Sequence, residues 1–427
     1  MNAKGVAPRP ILATSAQIDA EQTLLRLLRD PALQAVQSQL KAELARTPTG
    51  RTADGAARID EAVAQLTNSL IFKHLASYRP APAFLWGTDD TPRTWLGHTL
   101  GGVGMAGDNP DNIYRAATID GRRRYEIIGQ FDVRHRPAQF SIEIFGGEAG
   151  DPKMKDQNAK HADLGNQIAM LTDSDLVISP DGNFRVTLGG KADGPNHIAG
   201  TPGIETIAIR DSLSNWTQRP TRLTIRPLDG APPAPYDPAE LRRRVIAELP
   251  AHIRFWSAFG TTWVGGLQPN TIAGPIARDG GWGFLAGFRY KLAPGKALLI
   301  TTTSGGARYT GIQVTDPWMI ASDARKYQTS LNLSQAKPNA DGSYTYVIAP
   351  TDPGVANWVD TAGLHDGYGI LRWQGFPAGA AKGDLLRDFK VIDIADLDRI
   401  AGLPRVTPPE RRAAIAARRT GYESRLH

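Results

Sequence analysis

One stretch of this chain repeats another, and no other feature limits the possible folds so tightly. Ser179-Pro-Asp-Gly-Asn-Phe-Arg-Val-Thr-Leu188 matches Asn339-Ala-Asp-Gly-Ser-Tyr-Thr-Tyr-Val-Ile348. In both, Asp-Gly is followed two residues later by an aromatic ring and then by alternating apolar positions. Asn196-His-Ile-Ala-Gly200 matches Asn357-Trp-Val-Asp-Thr-Ala-Gly363, and a strand carrying Arg210 or Arg372 follows each. These landmarks lie 160, 161 and 162 residues apart. Upstream, Tyr114-Arg115 and Gly121 align with Phe288-Arg289 and Gly295 at a separation of 174, so the upstream loops differ in length. Positions shared by both copies are expected to serve the fold. Asp-Gly makes a hairpin turn, Asn196 and Asn357 satisfy backbone turns, and Arg210 and Arg372 bridge strands. Polar residues present in only one copy, such as Asp360 (Ala199 in the other), are the better site candidates.

The pattern around the copies predicts helices and strands in order. Ile18, Leu25 and Leu28 share a helix face. Asp30 then caps a second helix with Pro31 at its first position, striped by Leu33, Val36, Leu40 and Leu44. Ile59, Val63, Leu66 and Leu70 stripe a third. Residues 80–112, rich in Gly, Pro, Asp and Trp, read as a long ordered loop. From Tyr125 the period becomes two, as in Phe140, Ile142 and Ile144 or Phe184, Val186 and Leu188. A Pro-rich linker and a helix over 238–259 lead to a second β region from about Gly281 to Phe376. Two helical stretches, 384–402 and 408–425, close the chain. The expected fold is mainly β with helical additions: two duplicated antiparallel β-sandwich, jelly-roll-like domains, an N-terminal helical module and C-terminal helices. The expected boundaries are 1–80, 81–230, 231–262, 263–380 and 381–427.

The chain also resembles the bacterial domain of unknown function 1214 family. The resemblance rests on Gly107-Asp-Asn-Pro-Asp-Asn-Ile-Tyr-Arg115, Ser179-Pro-Asp-Gly-Asn-Phe184, Asp352-Pro-Gly-Val-Ala-Asn-Trp-Val-Asp-Thr-Ala-Gly363, Arg372-Trp373 and the Arg-rich ending from Glu410 to Arg425. It covers most of residues 95–425 and implies jelly-roll-like sandwiches. It implies no reaction.

Several classes of function fall away. With no cysteine in 427 residues, a disulfide scaffold, a thiol nucleophile and a cysteine-ligated metal are excluded. The net charge of +6 comes from scattered Arg, so no nucleic-acid partner is expected. The six Arg among the last 23 residues read as a solvated helix face. No apolar run approaches the roughly 18 residues that span a bilayer. With no apolar leader, the expectation is a cytoplasmic protein acting on a small molecule, with a homo-oligomer open.

Gly102-Val-Gly-Met-Ala-Gly107 matches a dinucleotide-binding pattern, but Asp108-Asn-Pro-Asp-Asn112 follows where a helix would be needed, so it reads as a turned loop. Asp108 and Asp111 form an Asx-turn network, a ligand-facing acid pair or, as one alternative, a metal site. Asp360, beside Trp358, is the favoured proton donor, because a carboxyl near an indole is partly desolvated. Asp108, Asp111, Asp316 and His365 are its candidate catalytic partners. Tyr114, Arg115, Arg289, Trp318, Asn357, Trp358, Arg372 and Trp373 are the candidate substrate-binding residues, with Arg forks for anionic groups and indoles as ring platforms. No metal and no organic cofactor is assigned. The leading expectation is a hydrolase or lyase working by carboxylate acid/base chemistry on an oxygen-rich or cyclic molecule such as a glycoside, in a groove between the sandwiches. The alternatives are a non-catalytic binding or assembly scaffold and a metal-dependent enzyme using Asp108 and Asp111.

Overall fold

The computed structural model describes residues 10–77, 79–147, 167–230, 237–263, 266–377, 384–400 and 402–427. Three helices open it: α1 (Ser15–Leu27), α2 (Pro31–Leu44) and α3 (Ala53–Ser77). Thr14 caps α1 by accepting from the Gln17 N–H, and Asp30 caps α2 by accepting from Ala32 and Leu33. The first β region contributes β1 (Leu85–Thr88), β2 (Arg93–Trp95), β3 (His98–Leu100), β4 (Asn112–Asp120), β5 (Tyr125–Gln130), β6 (Gln139–Gly146), β7 (Gln167–Thr172), β8 (Asn183–Leu188), β9 (His197–Ile198), β10 (Ile204–Ser212) and β11 (Arg222–Pro227). Helix α4 (Pro238–Thr262) follows, capped by Asp237. The second region contributes β12 (Thr271–Arg278), β13 (Gly283–Lys291), β14 (Lys296–Thr302), β15 (Tyr309–Thr315), β16 (Ser330–Asn332), β17 (Tyr344–Ala349), β18 (Trp358–Asp360), β19 (Asp366–Gln374) and β20 (Leu386–Asp393). Helix α5 (Pro408–Glu423) ends the chain, opened by a capping box between Thr407 and Glu410.

The two regions have one topology. The first folds into sheets ordered β1-β4-β10-β6-β7 and β11-β5-β8-β9. The second folds into β12-β13-β19-β15-β16 and β20-β14-β17-β18. Even the short parallel pair β8–β9 recurs as β17–β18. Each region is a sandwich whose two sheets close on one core: Ile127, Ile142, Val186 and Ile207 in the first, Phe288, Ile300, Ile312 and Ile348 in the second. Register corrects the upstream alignment. Arg210 lies opposite Tyr114 and Arg372 opposite Leu285, so Leu285 rather than Phe288 takes the place of Tyr114. A one-side shift there would have turned a core ring outward.

Two segments differ from expectation. Residues 80–112 hold β1, which extends the first five-stranded sheet, and the β2–β3 hairpin. Residues 386–393 are strand β20, not helix, and pair along β14; only a short 3-10 turn, Ile394–Arg399, follows. Charged residues on its exposed side broke the apolar alternation, yet β20 is the counterpart of β11, which was legible as a strand.

Helix α4 does not stand alone as a linker. Its Leu241, Leu249 and Trp256 pack with Leu24, Leu33, Leu40, Leu66 and Leu70 of α1–α3. This helical layer also covers Ile276, Leu285, Tyr368 and Ile370 on the outer face of the second five-stranded sheet. The rest of that face meets its counterpart from the first sandwich. Gln374 donates to Gln139, Gln139 to the Trp282 carbonyl, and Arg278 to Glu143. Over this part of their contact the sandwiches are therefore joined by a buried polar layer.

Candidate acid cleft

The cleft begins with a loop that glycine makes possible. Between β3 and β4 the chain passes so close to Asp90 and Gln65 that a Cβ on Gly102 or Gly104 would collide with them. Asn68 donates to the Gly102 carbonyl at 2.9 Å. Gly107, at φ +75°, donates to the Met319 carbonyl, and its Cβ would press on Ile370 and Met319. The glycine pattern thus records close packing and opens no helix. Asp108 reaches back to accept from the Met105 N–H at 2.8 Å, and Asn109 makes an Asx turn by accepting from the Asp111 N–H at 3.0 Å.

Asp89, Asp90, Thr91, Asp108 and Asn109 line one cleft with Ala321 and Ser322. It has about 220 Å³ of unfilled space, part of it open to solvent, and its floor takes about one water-sized group. Asp89 and Asp90 are buried and Asp108 half-buried, and each carboxyl has few donors. Asp90 accepts from the Ala321 N–H at 2.5 Å; its other oxygen has no partner. Asp89 accepts from the Thr91 N–H at 3.0 Å and from the Tyr422 hydroxyl, and it too keeps one oxygen without a partner. Burial pushes all three carboxyls up: Asp89 above its ordinary value, Asp108 to about 8, and Asp90, which also faces the Asp108 charge, well above the usual carboxylate range. Like charges crowded into one desolvated cluster do not all ionise, so at neutral pH the group holds protons.

Behind Asp108 lies the polar layer, and the duplication explains its charge. Glu143 and Gln313 occupy equivalent strand positions, facing Arg210 and Arg372. Arg210 pairs with Glu143, which Arg278 also reaches at 3.2 Å. Arg372 instead donates to the neutral Gln313 at 2.6 Å and to the Gly107 carbonyl at 2.9 Å. Its charge therefore acts on Asp108, lowering a carboxyl that burial raises. Arg210 is held down to about 9 by burial and by Arg278 and Arg372, and stays charged at neutral pH.

The candidate residues are largely dispersed. Asp108, Tyr114 and Arg372 come together, with Tyr114 accepting from the Asn109 N–H at 3.1 Å. Asp111 lies close in sequence but is saturated: Trp216, Tyr309 and Asn332 all donate to it. Asp316 caps its own turn, accepting from Trp318 and Ile320 and from Arg58. Asp360 accepts from the Ala362 N–H at 2.8 Å on β18, and burial lifts it to about 6. His365 donates its N–H to Asp54, and its Nδ1 lies 2.9 Å from the Leu292 carbonyl. Arg115 is locked to Asp211 at 2.5 Å, and Arg289 grips Asp366 with two nitrogens.

Asn357, expected to bind substrate, is fully occupied: it donates to the Lys337 and Thr345 carbonyls and accepts from the Lys337 N–H. Nor do the three indoles build one platform. Trp318, Trp358 and Trp373 belong to three separate clusters, and each donates to a backbone carbonyl. Among the described residues no group of three or more His, Asp or Glu is arranged to hold a metal ion.

Neither Asp89 nor Asp90 was among the candidate residues, although the adjacent pair in a Trp-containing loop was a visible signal. Sequence reasoning also took the terminal Arg for a solvated face. Arg411, Arg418 and Arg425 recur every seven residues and are buried along one side. Arg418 donates to the Ala324 and Ser330 carbonyls, and Arg425 to that of Pro110.

No family model matches the chain, and no curated protein matches it. Among solved structures, an uncharacterised protein from Burkholderia cenocepacia is similar over 90% of this chain and 100% of its own, at 24% identity and a TM-score of 0.67. That likeness shows a common fold. A Vibrio parahaemolyticus protein aligns over 78% of this chain and 98% of its own at 9% identity, with a TM-score of 0.42, too distant to carry an argument. Among the described residues no helix is long and apolar enough to cross a membrane.

Proposed function

We propose that the Asp89–Asp90–Asp108 cleft is an acid/base site for a small, oxygen-rich molecule, and that the protein is a cofactor-free hydrolase or lyase. The observation that carries this reading is the convergence of three carboxyls, two buried and one half-buried, on one cleft, while the other candidate acids are held in turns, caps and ion pairs. Asp90, the carboxyl raised further, donates a proton to the leaving oxygen. Asp108, at about 8 and ionised in a fraction of molecules near neutral pH, takes a proton from the attacking water or from the carbon beside the leaving group. Arg372 limits how far Asp108 is raised and so keeps it able to cycle. Elimination or hydrolysis both need no more than such a pair.

The test is a thermal-shift screen of glycosides, hydroxy acids and cyclic alcohols, followed by product detection on any hit. The expected result is a hit whose shift and turnover both vanish in Asp108→Asn. Equal binding and turnover by Asp108→Asn would overturn the site. The narrow cleft floor favours one rival, a binding protein without turnover. A ligand recovered unchanged after long incubation would establish it.

A further inference from the structure

The nineteen residues Pro408–Leu426 lie against the residues that line this cleft. Tyr422 donates to Asp89, Arg425 to the Pro110 carbonyl and Arg418 to the Ala324 carbonyl, and Asp89, Pro110 and Ala324 all line the cleft. The attachment is mostly polar. Arg411, Arg418 and Arg425 grip backbone carbonyls, while Ala413, Ala414, Ala416 and Ala417 of α5 face solvent. Only Tyr422 and Leu426 enter an apolar cluster, beside Trp216 and Leu12. Arginine–carbonyl bonds exchange readily for bonds to water, whereas a helix that belongs to a core must uncover apolar surface to leave it. The segment also has a point at which to swing. Gly402 has φ +78° and Pro404 and Pro408 flank the junction; beyond the Val355–Arg405 bridge, the segment is held to the second sandwich by polar groups, Arg411 on Asp352 and Arg418 on Ser330.

We propose that the segment Pro408–Leu426 is a lid on the acid cleft, releasing as a unit while both sandwiches stay folded. As regulation of that site, the lid rests on the functional reading above, but its test does not depend on turnover. The chain has no cysteine, so one placed in the cleft reports alone. Ser322 lines the cleft and is 8% exposed, and Ser322→Cys is nearly isosteric. The rate of its reaction with a maleimide is measured in the full chain and again with Arg418→Ala and Arg425→Ala added. The expected result is slow labelling in the parent and labelling at least tenfold faster in the clamp variant, with strand amides of β14 and β17 equally protected from hydrogen exchange in both.

Tyr422→Phe, which removes one hydroxyl, gives a smaller acceleration and guards against a clamp variant that does not fold. Equal rates, fast or slow, in every variant would overturn the lid, as would acceleration only alongside loss of β14 and β17 protection. Failure of the lid leaves the Asp108→Asn result standing, and failure of the acid site leaves the labelling result standing.

Discussion

The two sandwiches share every strand pairing and solve the same positions with different chemistry. At the end of the first core, Arg115 and Asp211 form a buried ion pair that also takes the Thr221 hydroxyl and carbonyl. Register places Ala286 and Trp373 at the equivalent positions of the second core, where they are fully buried and apolar. One fold thus accepts either a charge pair or an indole beside a methyl group. The topology tolerates both because an ion pair with satisfied hydrogen bonds and an apolar filling of similar volume differ little in net stability. The lesson for function is that a buried charge in this fold is not by itself a site. A charge matters where partners are missing, as at Asp89 and Asp90, and not where they are complete.

The largest effect should come from breaking that ion pair on one side. Asp211→Ala leaves Arg115 buried without an anion and is expected to destabilise the protein by about 3–5 kcal/mol. Replacing both, as Arg115→Met with Asp211→Leu, imitates the second copy and should cost less than half as much. Urea unfolding of the three proteins measures this. A double variant no better than Asp211→Ala would show that the two copies are not interchangeable at this level.

The asparagines give the converse case, identical chemistry in both copies. Asn196 donates to the Val177 and Arg185 carbonyls and accepts from the Val177 N–H, the same three bonds that Asn357 makes with Lys337 and Thr345. Asn196→Ala and Asn357→Ala should each lose about 2 kcal/mol, because each strands buried backbone groups. Losses differing by more than about 1 kcal/mol in urea midpoints would break the equivalence of the copies.

These residues also mark how far the sequence could be read. The repeat, its Asp-Gly turns and its paired asparagines were visible because they are local, with spacing preserved within a few residues. The strand at 386–393 was hidden because its evidence is a partner, β14, some ninety residues earlier. It was recoverable only by carrying the duplication through to the end. The cleft was less legible still. Asp89, Asp90 and Asp108 share one segment but meet Ala321 and Tyr422 from far along the chain, and the burial that alters the acids is a property of the packed fold. Asp360 shows the same limit: burial does raise its pKa, as its place beside Trp358 suggested, but that its carboxyl binds the next turn is visible only in the fold.

Asp360 supplies the smallest and most diagnostic prediction, because the first copy has Ala199 in its place. Its carboxyl accepts from Ala362, which sits at φ +56°, so it supports a strained turn. Burial raises its pKa to about 6 from an ordinary value of 3.8. The folded state therefore binds this proton more tightly than the unfolded chain does. That contribution is complete below about pH 4 and is lost as the pH rises through about 6. A shift of this size corresponds to roughly 2–3 kcal/mol across the window. Asp360→Ala removes both the proton linkage and the turn support, the latter worth about 1 kcal/mol. The variant should be less stable than the parent at pH 4 and more stable at pH 8, by about 1 kcal/mol each way. Melting temperatures at the two pH values decide it. A difference of the same sign at both would mean that Asp360 is not titrating in this window, and that the first copy's alanine is not an equivalent solution.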